Sequence, residues 1–179
     1  DGKTAIVSGQ DTNTANGVVW VWTYDDSTDI WTAQQHLTRP TSGGKNGNYG
    51  EICSISADGT TILISGGYDS NSNNEGVAWI WKLDNGVWTN TQHLTKPTSS
   101  TGRYGDVSTL SVNGKTALVT GIFGGAYLWN FNDTTGLYEP YDLSKYNYPG
   151  QYGESQAISG DGTTAVICLN ATNPSGHVY

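Results

Sequence analysis

The chain has 179 residues, 35% of them apolar, with 24 glycines, seven tryptophans, eleven tyrosines and a formal net charge of −8. That length allows one domain with a sizeable core. Eight lysines and arginines against 16 acidic residues leave no basic patch to release counterions, which excludes nucleic acid and anionic membrane surfaces as partners. Apolar runs of about five residues fall far short of the roughly 20 that span a bilayer, which excludes membrane insertion through a helix.

The chain opens on an Asp1-Gly2 turn followed by Thr4-Ala5-Ile6-Val7-Ser8-Gly9. A polar stretch with Asp11-Thr12-Asn13 leads to Gly17-Val18-Val19-Trp20-Val21-Trp22, then to Trp31, then to His36-Leu37-Thr38-Arg39-Pro40. The next unit starts at Tyr49-Gly50-Glu51 and has an initial strand, Ile52 to Ala57, before Asp58-Gly59 and a second strand from Thr61 to Gly66. The polar loop Asp69-Ser70-Asn71-Ser72-Asn73-Asn74-Glu75 follows, then a third strand, Val77 to Leu83, an Asp84-Asn85-Gly86 turn, and a fourth strand, Val87 to Leu94, that ends on His93-Leu94-Thr95-Lys96-Pro97. The order returns from Tyr104-Gly105-Asp106 through Asn113-Gly114, Gly124-Gly125-Ala126-Tyr127-Leu128-Trp129 and Tyr138 to Asp142-Leu143-Ser144-Lys145. It begins again at Tyr152-Gly153-Glu154 and Asp161-Gly162 and runs to Gly176-His177-Val178-Tyr179.

Self-similarity at intervals of roughly 50 residues is the signature of a propeller, solenoid or array, whose units bury their apolar faces only by stacking. The units span approximately 1-48, 49-103, 104-151 and 152-179 of a single domain, or part of one, covering 1-179. Asp-Gly and Asn-Gly between apolar runs predict hairpins with positive φ at both central residues. No apolar spacing of helical period occurs over a useful length, so essentially no helix is expected. The third strand of each unit is apolar on both faces, so both faces are covered. That requirement and the fixed four-strand unit predict an all-β protein, a β-propeller of four-stranded antiparallel blades, of which the chain covers about three and a half. Trp20, Trp79 and Tyr127 recur at one repeat position, and packing between blades accounts for them better than a ligand platform does.

The succession of Tyr-Gly-acidic, a strand, an Asp-Gly turn, a strand ending in Ser/Thr-Gly, Gly-x-x-aromatic-x-aromatic, and a Trp before His-Leu-Thr resembles the FG-GAP repeats of integrin-α-type β-propellers. Tyr49, Tyr104 and Tyr152 stand where that family usually has Phe. The resemblance implies a ring of usually seven blades in extracellular or cell-surface proteins that act in adhesion, ligand recognition or as scaffolds. Many members carry a calcium loop between the first and second strands. Here the connection Ala57-Asp58-Gly59-Thr60 is too short to wrap a cation, so no metal is expected there and no cofactor anywhere.

Candidate chemistry is sparse. His36 and His93 are repeat equivalents replaced by Asp142, which marks them as blade-edge residues. Glu51, Asp106 and Glu154 are likewise equivalent, as are Arg39, Lys96 and Lys145, and the two sets either pair between blades or stand as solvated rim charges. Cys53 and Cys168 read as small buried apolar residues or as a disulfide. The loop 69–75 has the alternating oxygen side chains that suit calcium, and a flexible polar turn explains the same residues. Asn132-Asp133-Thr134 and Asn170-Ala171-Thr172 are N-glycosylation sequons in predicted loops, which makes Asn132 and Asn170 the candidate modification sites.

An enzyme built on a propeller needs unrepeated polar residues converging near the central channel, and none is visible in the sequence. The expectation is therefore a non-enzymatic, extracellular or cell-surface structural or adhesion propeller that assembles with itself or with other chains, as in a filament. A glycan-binding lectin is the alternative. The unfinished first and last repeats further lead to the expectation of protein partners, either copies of the chain or the further blades of a larger propeller.

Overall fold

The computed structural model describes residues 2–9, 17–40, 48–67, 76–97, 102–122, 124–144, 151–170 and 177–178, with the side chains of 151–154, 169–170 and 177–178 excepted. The loop 69–75, Asp11-Thr12-Asn13 and Lys145 lie outside these residues. The described elements are all strands: β1 (Thr4–Gly9), β2 (Val18–Asp25), β3 (Ile30–Thr38), β4 (Ile52–Ile55), β5 (Thr61–Gly66), β6 (Val77–Asp84), β7 (Val87–Thr95), β8 (Val107–Leu110), β9 (Thr116–Gly121), β10 (Gly125–Asn132), β11 (Leu137–Asp142), β12 (Gln151–Ile158), β13 (Ala165–Asn170) and β14 (His177–Val178). They form antiparallel sheets in simple meander order: β1-β2-β3, then β4-β5-β6-β7, then β8-β9-β10-β11, then β12-β13-β14. No α-helix occurs among the described residues.

The two kinds of hairpin turn differ. Asn85 and Gly86 both take positive φ, 49° and 80°, and close a two-residue turn between the paired residues Asp84 and Val87, as expected. Asp58-Gly59 departs from the expectation. Only Gly59 is left-handed, at φ 71°, and its N–H donates to Ser56 O at 3.0 Å. The reason is local polar chemistry. The Ser56 hydroxyl donates to Asp58 Oδ1 (2.6 Å), accepts from Thr61 N (3.0 Å), and Asp58 Oδ1 also accepts from Thr60 N (3.0 Å). Side chains thus organise a longer loop in place of a tight mirror-image turn. Ser111 with Asn113, and Ser159 with Asp161, repeat the device. Hydrogen bonding by Ser159 and Thr163 pulls the exposed Asp161 carboxyl down to about 2.

Successive sheets pack face to face. One interface buries Val19, Val21 and Leu37 of the first sheet against Ile62, Ile64, Trp79, Trp81 and Trp88 of the second. The next buries Leu63, Ala78, Ile80 and Leu94 of the second against Ala117, Val119, Tyr127, Trp129 and Tyr138 of the third. At both interfaces the later sheet contributes the aromatic-rich face and the earlier sheet the short aliphatic one. The repeated glycines explain how the sheets come so close. A Cβ on Gly17 would lie 1.8 Å from Tyr49 O, and one on Gly76 would lie 1.9 Å from Tyr104 O. The Tyr-Gly segment of one sheet rests on the glycine that precedes the third strand of the sheet before, so these two motifs recur together because they touch.

Two-sided burial holds for β6, whose Val77, Ala78, Trp79, Ile80 and Trp81 are all buried. It fails for the first sheet. Trp20 is 41% exposed, Trp31 42% and Val7 57%, against 2% for Trp79 and Trp88 and 0% for Ile64 at the equivalent positions. The physical reason is that no described sheet precedes β1-β2-β3.

Candidate functional site

The inner strands β4, β8 and β12 lie where the sheets converge, held by a bridge that recurs at one repeat position. Ser8 of β1 hydrogen-bonds Cys53 of β4. Ser65 of β5 hydrogen-bonds Ser108 of β8 at 2.7 Å. Thr120 of β9 donates to Gln156 Oε1 of β12 at 2.9 Å. At one end of these strands the turns interlock through Ala57 N to Val112 O (2.8 Å) and Asn113 N to Gly160 O (3.1 Å).

The opposite end holds the charged groups. Glu51 and Asp106 immediately precede β4 and β8. Glu51 Oε2 accepts from Gly67 N at 3.3 Å, and Asp106 Oδ2 from Ile122 N at 3.5 Å. Gly67 stands between the two carboxylates: a Cβ there would fall 1.9 Å from Asp106 Oδ1. Arg103 Nε pairs with Asp106 Oδ1 at 3.2 Å, the arginine side chain 40% exposed and the aspartate 9%. Burial pushes the Asp106 carboxyl above its ordinary range and the Glu51 charge adds to that rise, while Arg103 opposes it. A largely buried carboxyl raised in this way, beside a paired cation, is suited to proton transfer and to holding a polar group. Among the described residues no group of three or more His, Cys, Asp or Glu could hold a metal ion.

Glu51 and Asp106 turn to main-chain N–H groups, and Asp106 also to Arg103, a partner beyond the expected set of Arg39, Lys96 and Lys145. Arg103 carried no repeat signal, because Asn48 occupies its position in the preceding unit. His36 and His93 sit across from Trp20 and Trp79 in strand register, with ring centroids 4.9 and 6.4 Å apart. His93 also bonds Asn90 Oδ1 at 2.7 Å, and burial lowers its pKa. Trp79 and Tyr127 pack between sheets as expected, and Trp20 does not. Cys53 and Cys168 are free and half-buried, so the disulfide is absent. Asn132 is the last residue of β10, not a loop residue: its Nδ2 donates to Glu139 (2.8 Å) and its Oδ1 accepts from Thr134 N (2.9 Å). Asn170 ends β13, paired with Gln151.

A glutamine bridge joins successive outer strands. Gln35 Oε1 accepts from Trp88 N and its Nε2 donates to Trp88 O, both at 2.9 Å. Gln92 does the same to Tyr138, at 2.7 and 2.8 Å. Each glutamine spans from one outer strand to the next. Both directly precede the histidines of the His-Leu-Thr segments, so the repeat signal there extends to the glutamine as well as the histidine.

No protein-family model matches the chain, and no curated protein matches it. A crystal structure of a protein from Lactobacillus plantarum superimposes with a TM-score of 0.52 at 14% identity, covering 98% of this chain. A protein from Bacteroides uniformis, provisionally named a 6-phosphogluconolactonase, superimposes with a TM-score of 0.46 at 16% identity over 95% of this chain. The chain spans about half the length of these structures, 54% of each. The first likeness shares the fold. That likeness shows the fold alone and lends no support to the expectation of a non-enzymatic extracellular adhesion propeller, glycoprotein or filament, or to its lectin alternative, which are withdrawn.

Proposed function

We propose that the chain contributes consecutive blades to a larger β-propeller, and that this propeller is an enzyme whose reacting centre lies at the Glu51 and Asp106 end of the inner strands. The FG-GAP resemblance in the repeats agrees with the propeller part of this reading. The observation that carries the enzyme part is the convergence of carboxylates from two successive sheets on Gly67, with Arg103 paired to Asp106.

This grouping suits the opening of a lactone or similar ester by water. Asp106, raised by burial, takes a proton from the attacking water. Arg103 stabilises the oxyanion, and the ring carbon–oxygen bond breaks with the proton returned to the departing oxygen. A lactone is also the substrate class in the name of the Bacteroides uniformis protein, so 6-phosphogluconolactone is the first compound to assay. Hydrolysis followed at constant pH should fall by about 100-fold or more in Asp106→Asn, as for loss of a general base. A folded protein that opens neither this lactone nor simpler ones, or an Asp106→Asn variant of unchanged rate, overturns the enzyme reading.

A further inference from the structure

The first sheet leaves Val7, Trp20 and Trp31 exposed, although Ile64, Trp79 and Trp88 at the same positions of the second sheet are buried. What covers them there is defined by the fold. The preceding sheet supplies Val19, Val21 and Leu37 to the face, and Gln34 and Gln35 to the outer edge, of which Gln35 has an equivalent, Gln92, in the next sheet. Gln35 closes two hydrogen bonds on the main chain of Trp88, and Gln92 closes two on that of Tyr138. Trp31 is the equivalent of both, and among the described residues no sheet lies on its side to supply a glutamine. The sequence of the covering face is also constant in character: Val19, Val21 and Leu37 in one sheet become Ala78, Ile80 and Leu94 in the next.

We infer that the Val7-Trp20-Trp31 face is the docking surface for one further β-sheet of this repeat type. That sheet presents short aliphatic side chains at the positions of Ala78, Ile80 and Leu94, and a glutamine at the position of Gln35 and Gln92 that reads the main chain of Trp31. The inference rests on the propeller reading and extends it by naming the face and the chemistry of its occupant. Aromatic side chains against a flat aliphatic surface supply adhesion with little directional preference. The glutamine supplies registry, because it fits only where an outer-strand residue turns both its N–H and its carbonyl towards the approaching sheet. The last sheet has the complementary character, with Val166 exposed on its β13 strand. A second copy of the chain is therefore the competing occupant that the test must separate.

The test extends the full chain by a copy of residues 49–112 placed ahead of Asp1. Asn113 and Asp1 are repeat equivalents, so the copied β8 falls where the inner strand of the first sheet belongs. Hydroxyl-radical footprinting with peptide mapping then reports each tryptophan separately. Oxidation at Trp20 and Trp31 should fall about tenfold, towards the level of Trp79, whose exposure is 2% against 41% for Trp20. Gln92→Leu in the added copy should return part of the oxidation at Trp31 while leaving β-sheet circular dichroism unchanged. An added copy that folds but leaves Trp20 and Trp31 as reactive as before overturns the inference alone. An added copy that stays unfolded overturns it together with the propeller reading. Protection in the unextended chain that grows with its own concentration assigns the face to a second copy and also overturns it.

Discussion

Trp79 and Trp20 occupy the same repeat position with different surroundings, so replacing each by alanine isolates what a neighbouring sheet contributes. A buried tryptophan removes about 200 Å² from water, worth roughly 5 kcal/mol at about 25 cal/mol per Å². Compactness of the unfolded chain reduces that by 10–40%, to roughly 3–5 kcal/mol, which is also the range seen for large aromatic deletions in cores. Trp79 is 2% exposed and should show this full loss. Trp20 is 41% exposed, so a little under 60% of the same area is buried and the loss should be roughly 2 kcal/mol, with no closed cavity left behind. The assay is urea unfolding of the dilute chain, followed by near-ultraviolet circular dichroism. With a slope of about 2 kcal/mol per molar urea, the midpoints of the two variants should differ by about 1 M. Losses that agree within about 0.5 kcal/mol would refute the reasoning, since they would mean that exposure of the first face in the structure does not describe the protein in solution.

Gln92→Leu should cost about 2 kcal/mol, because the N–H and carbonyl of Tyr138 lose both partners in a half-buried seam; a loss under about 0.5 kcal/mol in the same urea assay would reduce the bridge to a surface contact. The Trp129 Nε1–H donates to the Tyr104 hydroxyl at 2.8 Å in the core, so Trp129→Phe should cost more than removal of the hydroxyl alone, and Tyr104→Phe in that background should cost less than in the wild type, a coupling of about 1 kcal/mol in a double-mutant cycle; additive losses would deny the bond. Asp106 has a folded pKa above its unfolded value, so it binds its proton more tightly when folded, and its contribution is most favourable below about pH 4 and is lost as pH rises through the folded pKa. Asp106→Asn should therefore be more stable relative to wild type at pH 7 than at pH 3 in thermal melts, even as hydrolysis is lost; the opposite ordering would place the carboxylate in a favourable ion pair.

The sequence by itself determined the all-β class, the repeating antiparallel strands with an unfinished first and last unit, and the hairpin at Asn85-Gly86, because these follow from chemistry within a few residues of each position. It also marked the tight contacts, since glycine at 17 and 76 and tyrosine at 49 and 104 repeat wherever one sheet rests on the next. The form of the Asp58-Gly59 turn depends on Ser56, whose hydroxyl acts across five residues, beyond the reach of the Asp-Gly pair itself. The convergence of Glu51, Asp106 and Arg103 on Gly67 was out of reach, because it joins residues of successive sheets and includes one arginine that does not repeat. Burial was decided by the tertiary structure alone. Trp20 and Trp79 are the same residue in the same local pattern, and only the presence of a preceding sheet, which desolvates one and leaves the other in water, makes them different.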